Sequence, residues 1–95
     1  MRRTRIKICG ITRAEDAEAA CEAGVDALGF VFWAASPRSV SPSVAEAIVR
    51  QLPPFVTPVG VFVDEPPDAV NEVAARVGLG VAQLHGDEPV DSWTR

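Results

Sequence analysis

The strongest constraint on the fold is an alternation of short apolar runs with helical patterns. Four runs of strand length, rich in Val, Ile, Phe or Leu, follow one another along the chain: Arg5–Cys9, Asp26–Phe32, Pro58–Val63 and Gly80–His85. Their first residues lie 21, 32 and 22 positions apart, which leaves room for a helix in each interval. The last three runs are almost continuously apolar or small, as in strands covered on both faces. The pattern predicts the order β-α-β-α-β-α-β and an α/β fold with parallel strands and right-handed crossovers.

The first interval carries signals for both ends of a helix. Thr12 and Glu15 have the spacing of a capping box, in which each side chain satisfies a backbone N–H at the helix start. Gly24 is suited to the left-handed conformation that ends many helices. The predicted apolar face consists of small side chains: Ala17, Ala20 and Cys21. Cys21 is therefore interpreted as a packing residue.

The second and third intervals carry similar signals. Ser41 is the predicted N-cap of the second helix, Pro42 its first residue, and Pro53–Pro54 its end. The third helix is predicted to begin near Pro66–Asp68 and to end at Gly78. The two apolar faces are predicted at three- and four-residue spacing: Val44, Ile48, Val49 and Leu52, then Val70, Val73, Ala74 and Val77.

The charge of the chain excludes some classes of partner. Nine basic and 13 acidic residues give a net charge of −4, although the first 13 residues carry five basic side chains and no acid. This balance argues against nucleic acid or an anionic membrane as a partner. The basic start lacks the apolar segment of a signal peptide, and the apolar runs are too short for a membrane span. With only two cysteines, the sequence predicts a cytoplasmic protein with reduced thiols.

Polar residues follow each predicted strand, at the edge where a parallel sheet collects its carboxyl ends. They are Cys9–Gly10 after the first strand, Ser36–Ser39 after the second, Asp64 after the third and Gln83–Asp87 at the fourth. The edge therefore brings together Cys9, Arg38 and His85, the only histidine of the chain. A thiol, a guanidinium and an imidazole suit a small anionic ligand.

Each of these residues also has a purely structural interpretation. Cys9 fits a small buried apolar position, and Arg38 fits a solvated loop. His85 fits a core or capping position, and Asp64 and Asp87 fit caps of the helices that follow them.

Lys7 lies on a strand predicted to be interior, where an unpaired ammonium is costly, so a functional or ion-paired role is favoured. A zinc site is not predicted, because no Cys/His spacing supplies three or four ligands. The glycine-rich phosphate loops GxGxxG and GxxxxGK[ST] are absent from the sequence.

Four motifs, taken in order, resemble the phosphoribosylanthranilate isomerase family. They are Lys7–Thr12, Gly29–Phe32 with Ser36–Arg38, Val59–Val63, and Gln83–Glu88. Each motif alone is weak evidence for the family, whereas all four together, at the family's spacing, are specific to it. The resemblance covers nearly the whole chain but only the first four strands of the family's (βα)8 TIM barrel. It implies that residues 1–95 form a single N-terminal half-barrel with three complete helices, the last ten residues being a loop and the first turn of a fourth helix.

The resemblance implies an enzyme of tryptophan biosynthesis that uses no metal or organic cofactor. The family converts N-(5-phosphoribosyl)anthranilate to 1-(o-carboxyphenylamino)-1-deoxyribulose 5-phosphate by an Amadori rearrangement. Cys9 matches the family's general base, which acts as a thiolate, and Lys7 on the same strand face would favour that charge. Arg38 matches the arginine associated with the anthranilate carboxylate. His85 matches a pocket-lining residue, and Asp64 lies at a position on the edge of the pocket.

Two parts of the family's machinery have no counterpart in this sequence. They are the general acid, an aspartate on the sixth strand, and the glycine-rich phosphate site after the seventh and eighth strands. The 95-residue chain is therefore expected to be inactive alone. The alternative hypothesis is a non-catalytic half-barrel that self-associates through its open sheet edges or needs a complementary C-terminal half. A third hypothesis is another phosphosugar-binding barrel enzyme, such as a relative that acts on thiamine or indole phosphates. The combination of the first and fourth motifs argues against it.

Overall fold

The predicted strands form one parallel sheet in sequence order. The computed structural model describes residues 5–85, except for the side chain of His85. The elements are β1 (Lys7–Cys9), α1 (Ala14–Glu22), β2 (Ala27–Val31), α2 (Pro42–Val49), β3 (Thr57–Val63), α3 (Pro67–Val77) and β4 (Val81–His85). The strand order is β1-β2-β3-β4, and every neighbouring pair is parallel. The predicted partial barrel of four strands and three helices is confirmed, with strand ends within two residues of the prediction. The predicted turn of a fourth helix lies outside the described residues.

The core lies between the helices and one face of the sheet, called here the outer face. Leu28 and Phe30 of β2 are 0% exposed on this face. They belong to one apolar cluster with small and branched side chains from all three helices: Ala17, Ala20, Ala45, Ile48 and Val77. Right-handed crossovers place successive helices on the same side of a parallel sheet, which explains the one-sided core.

The opposite face, called here the inner face, carries the residues that alternate along each strand with those of the outer face. Gly29 and Val59 at its centre are buried, but Lys7 and Cys9 are exposed. Most of its other described side chains in β2, β3 and β4 are half-buried, whereas Thr57 is exposed; the half-buried ones are Ala27, Val31, Val61, Val63, Val81 and Gln83. The expectation that the strands are covered on both faces is therefore wrong within residues 5–85. Their apolar composition fits the interior of a barrel that these strands only partly enclose.

The capping box predicted for α1 is wrong. Arg13 is the N-cap, and no side chain caps this helix start. Thr12 thus precedes the cap, and Glu15 is the second helical residue rather than the third. The Arg13 guanidinium instead contacts the Asp16 carboxylate, with Nε 3.3 Å from Oδ2. The helix start is favoured by acidic residues in its first turn, which complement the helix dipole.

The glycine stops of α1 and α3 are confirmed. Gly24 has φ +90° and Gly78 has φ +87°, both in the left-handed region. After α1, the Val25 N–H donates to the Ala20 carbonyl at 3.3 Å and the Gly24 N–H donates to the Cys21 carbonyl at 3.0 Å. These two bonds form a Schellman motif, which satisfies carbonyls left free at the helix end.

Helix α2 differs from its prediction in its end and its buried face. It ends at Val49, before the predicted stop at Pro53–Pro54, because residues 51 and 52 bond back three positions instead of four. Val44, predicted on the apolar face, is 44% exposed, whereas Ala45 is 0% exposed. The helix is therefore rotated relative to its prediction. The methyl group of Ala45 faces the core, and the larger side chain of Val44 lies outside.

The difference between the two predicted caps has a measurable consequence. Ser41 Oγ accepts a hydrogen bond from the Val44 N–H at 3.2 Å, as predicted. We expect Ser41→Ala to lower the free energy of unfolding by about 1 kcal/mol, the usual value of an N-cap. Thr12→Ala is the matched control, because Thr12 caps no helix. Urea unfolding of both variants checks this expectation, and equal losses would contradict the assignment of the caps.

In the described part of the chain, every helix is too short or too polar to span a lipid bilayer.

Candidate functional site

Cys9 ends β1, and its thiol lies exposed against Gly29 of β2. The two residues are register partners in the sheet. A Cβ added at Gly29 would lie 2.8 Å from Cys9 Sγ, which is closer than such atoms pack, and a tight 3.1 Å from Cys9 Cα. The Gly29 carbonyl also accepts hydrogen bonds from the Gly10 and Ile11 N–H groups, both at 3.0 Å. Gly29 therefore provides the space for the thiol and fixes the backbone that follows it.

We expect Gly29→Ala to lower the free energy of unfolding by about 1–3 kcal/mol, as overpacking usually does. The same substitution should be less destabilising in a Cys9→Ala background, because the nearest clashing atom, Sγ, is then absent. Chemical unfolding of the four proteins in this double-mutant cycle gives the coupling. Equal destabilisation in both backgrounds would show that the thiol does not occupy the space over Gly29.

Arg38 is brought to the end of β1 by the loop between β2 and α2. Gly10, which follows Cys9, has φ +91°, and a Cβ there would lie 2.6 Å from Arg38 Cδ and 3.1 Å from Nη1. The Arg38 side chain thus passes directly over Gly10. The Arg38 N–H donates to Ser36 Oγ at 3.1 Å, which fixes the turn that presents the arginine. Arg38 therefore lies beside the residue that follows Cys9.

Lys7 reaches across the inner face to the far strand of the sheet. Its Nζ donates to Gln83 Oε1 at 2.6 Å, although β1 and β4 are the two outer strands. The sheet is therefore strongly curved, with the inner face concave. The partner of Lys7 is a neutral amide rather than the carboxylate of an ion pair.

The charges at this edge are unevenly balanced. In the part of the chain that the structure describes, carboxylates lie within 4.0 Å of Arg13, Arg50 and Arg76. No such contact involves Lys7 or Arg38 among those residues. Among residues 5–85, Lys7 and Arg38 thus lack a carboxylate partner. Lys7 lies on the same strand as Cys9, and Arg38 lies beside the end of that strand. This arrangement favours an anionic ligand over a neutral one.

The remaining predicted site residues follow β3 and β4. Asp64 is exposed directly after β3 and has φ +52°, a left-handed conformation that aspartate adopts more readily than most residues. It does not cap α3, whose N-cap is Pro66, so the capping interpretation of Asp64 is wrong. The backbone of His85 ends β4 in register with Val63 of β3. Asp87 lies outside the described residues.

Cys21, the other free cysteine, lies on the helical side of the sheet. It packs against the core cluster, and burial raises the pKa of its thiol. It also lines a cleft of about 430 Å³ between α1 and α2, which includes none of the predicted site residues. The packing interpretation of Cys21 is confirmed. Among residues 5–85, no three His, Cys, Asp or Glu side chains form a group that could hold a metal ion.

Sequence reasoning missed two residues that shape this edge. Gln83 was grouped with the polar residues of β4, but its contact with Lys7 joins positions 76 residues apart. The available signal was its spacing of two residues from His85, which places both residues on the same face of β4. Gly29 was seen only as part of a motif, since its role depends on its register with Cys9.

Comparisons with known proteins agree with this geometry. The family model described as N-(5'phosphoribosyl)anthranilate (PRA) isomerase matches residues 6–95. The N-(5'-phosphoribosyl)anthranilate isomerase of Geobacter sulfurreducens is 59% identical over 85 residues, which cover 90% of this chain and 42% of that protein. The crystal structure of phosphoribosyl anthranilate isomerase from Thermotoga maritima has a TM-score of 0.89 and 52% identity, over 94% of this chain and 43% of that one.

A further crystal structure, of a phosphoribosyl anthranilate isomerase in complex with reduced 1-(o-carboxyphenylamino)-1-deoxyribulose 5-phosphate, also has a TM-score of 0.89 and 52% identity. The match covers 94% of this chain and 46% of the chain in that complex. The chain thus spans less than half the length of the relatives it matches. Over that span, the chain belongs to the N-(5'-phosphoribosyl)anthranilate isomerase family.

Proposed function

We propose that this chain provides the general-base half of a phosphoribosylanthranilate isomerase. The observation that supports this most strongly is the exposed Cys9 thiol at the end of β1, with Arg38 over the next residue. Family membership supports the reaction, the isomerisation of N-(5'-phosphoribosyl)anthranilate in tryptophan biosynthesis. The ligand of the related complex carries a carboxyl group and a phosphate, which agrees with an anionic substrate for this cationic edge.

In the proposed mechanism, Cys9 acts on the sugar after its ring has opened. An acid protonates the furanose oxygen, the C1–O bond breaks, and a protonated imine forms between C1 and the anthranilate nitrogen. The Cys9 thiolate then removes the proton from C2, and the electron pair of that C–H bond neutralises the imine to give an enolamine. Tautomerisation moves a proton to C1 and yields the ketone at C2.

The other residues of the site are proposed to bind the substrate. Arg38 pairs with the anthranilate carboxylate, because a guanidinium fork matches the two oxygens of a carboxylate. Lys7 places a second cation on the strand face that carries Cys9, where it would attract an anionic group of the substrate. Asp64 and His85 line the edge of the pocket. We also propose that the protein works in the cytoplasm, where the Cys9 thiol remains reduced.

The acid and the phosphate site are proposed to come from further β-structure that pairs with this sheet. Within residues 5–85, β1 and β4 each have one unpaired edge. Ile8 of β1 is 40% exposed. Open apolar edges favour pairing with other strands. In a complete barrel, the rest of a longer chain would supply these strands together with the acid and the phosphate site. For the 95-residue polypeptide, we propose that a second copy pairs with the open edges without supplying either.

We expect sedimentation velocity to show concentration-dependent association of the 95-residue polypeptide. Ile8→Lys should weaken that association, because a charged residue on an edge strand opposes pairing. Val44→Lys is the matched control, since Val44 is similarly exposed, at 44%, but lies on α2. A stable monomer at high concentration would contradict edge pairing.

The proposed reaction is tested by completing the barrel. The chain is joined to the C-terminal part of the Geobacter sulfurreducens relative, beginning where the match to this chain ends. Circular dichroism and size-exclusion chromatography establish that the hybrid folds. We expect the folded hybrid to consume N-(5'-phosphoribosyl)anthranilate in a fluorescence assay. A folded hybrid that binds the substrate analogue without turnover would contradict the assignment of the base to this half.

A further inference from the structure

We propose that Gln83 is a positioning residue that holds the Lys7 ammonium over the inner face, where it attracts the anionic group that approaches Cys9. The proposal rests on the proposed function of Cys9. Its evidence is the 2.6 Å hydrogen bond from Lys7 Nζ to Gln83 Oε1, which joins the two outer strands of the sheet.

The register places this hydrogen bond across the level of Cys9. Cys9 pairs with Gly29, which pairs with Val59, which in turn pairs with Val81. Lys7 lies two residues before Cys9 on β1, whereas Gln83 lies two residues after Val81 on β4. The hydrogen bond therefore joins a residue on one side of the row that contains Cys9 to a residue on its other side.

The chemistry of the partner explains why the charge stays available. A side-chain amide oxygen accepts a hydrogen bond without neutralising the ammonium, as a carboxylate would. An ammonium has three N–H donors, so one bond to Gln83 leaves two for a ligand. Lysine also has a flexible stem, so a fixed acceptor on the opposite strand restricts where its charge lies.

The test uses two alkylating reagents of similar size that differ in charge, iodoacetate and iodoacetamide. In both reactions the thiolate sulfur forms an S–C bond, the C–I bond breaks and iodide leaves. Both rate constants depend in the same way on the fraction of Cys9 that is thiolate, so this fraction cancels in their ratio. The ratio therefore reports the local positive charge. All variants carry Cys21→Ala, which leaves Cys9 as the only thiol, and each is checked for folding by circular dichroism.

We expect Lys7→Gln to lower the iodoacetate-to-iodoacetamide ratio about threefold at low salt, as for one unit charge roughly 7 Å away in water. Gln83→Leu should lower the ratio by a smaller factor in the presence of Lys7 and have no effect in the Lys7→Gln background. Arg50→Gln removes a cation that lies on α2 and should leave the ratio unchanged. High salt should reduce the native ratio by screening.

An unchanged ratio in Gln83→Leu would overturn the proposal, as would an equal fall with and without Lys7. The measurement needs no turnover, so it separates this inference from the proposed function. A hybrid enzyme that is folded but inactive would count against the isomerase assignment and leave the alkylation result intact. An active hybrid whose alkylation ratio ignores Gln83 would refute only the positioning role.

Discussion

Cys9→Ala is expected to remove nearly all turnover from a barrel that contains this chain and a matching C-terminal half. The alanine side chain cannot take the proton from C2, and a positioned general base contributes about 10²–10⁴-fold to such a step. The loss should appear in kcat, because the substituted group acts on the reacting atom and does not bind the carboxylate. Steady-state kinetics of the purified hybrid at a fixed pH measure this effect.

The control for that experiment is Cys21→Ala. Cys21 packs on the helical side of the sheet, and alanine already occupies most of the apolar face of α1. The control should therefore retain nearly the native kcat. If the Cys9→Ala hybrid also keeps its turnover, Cys9 is not the base, and the proposed mechanism loses its central residue.

The second large effect concerns stability, and Phe30→Ala is expected to lower the free energy of unfolding by about 3–5 kcal/mol. Phe30 is 0% exposed and belongs to the apolar cluster between β2 and the helices. A sheet with a one-sided core has few other large buried side chains to compensate, since the largest fully buried ones among the described residues are Phe30, Phe62 and Leu28. Urea unfolding followed by circular dichroism measures the loss.

Phe55→Ala provides the comparison for this prediction. Phe55 is the same residue type but is 91% exposed, so its truncation should change stability by less than about 0.5 kcal/mol. Similar losses for Phe30→Ala and Phe55→Ala would contradict the location of the core.

The order of the elements could be predicted because each strand and helix carries its own local signal. Gly24 and Gly78 were identified as helix ends, since their left-handed conformation is a property of glycine itself. The capping box at Thr12 was wrong because the spacing of Thr12 and Glu15 fits a helix that starts one residue earlier than α1 does. A shift of one position was enough to remove both capping bonds.

The environment of the site could be predicted only in part. Alternation along β1 correctly placed Lys7 and Cys9 on one face, because that property depends on two neighbouring residues. The contacts of Lys7 with Gln83 and of Cys9 with Gly29 depend on register and sheet curvature. These properties arise from the assembled sheet, so no local pattern in the sequence specifies them.

The apolar strands also show how composition can mislead. The runs in β2, β3 and β4 suggested cover on both faces, but the inner-face valines other than Val59 are half-buried in the described structure. The same residues line the interior when a barrel closes, where side chains from facing strands cover one another. The apolar composition therefore indicated that the strands are buried but did not reveal which elements cover them.

We propose that this chain supplies the base side of the isomerase and requires a complementary half. The most direct test of this proposal is growth without tryptophan of a bacterial strain that lacks this isomerase. The strain receives the 95-residue chain, the C-terminal half of the Geobacter sulfurreducens relative, or both. We predict growth only when both are expressed. Growth with the 95-residue chain alone, or equal growth when Cys9→Ala replaces the native chain in the pair, would contradict the claim.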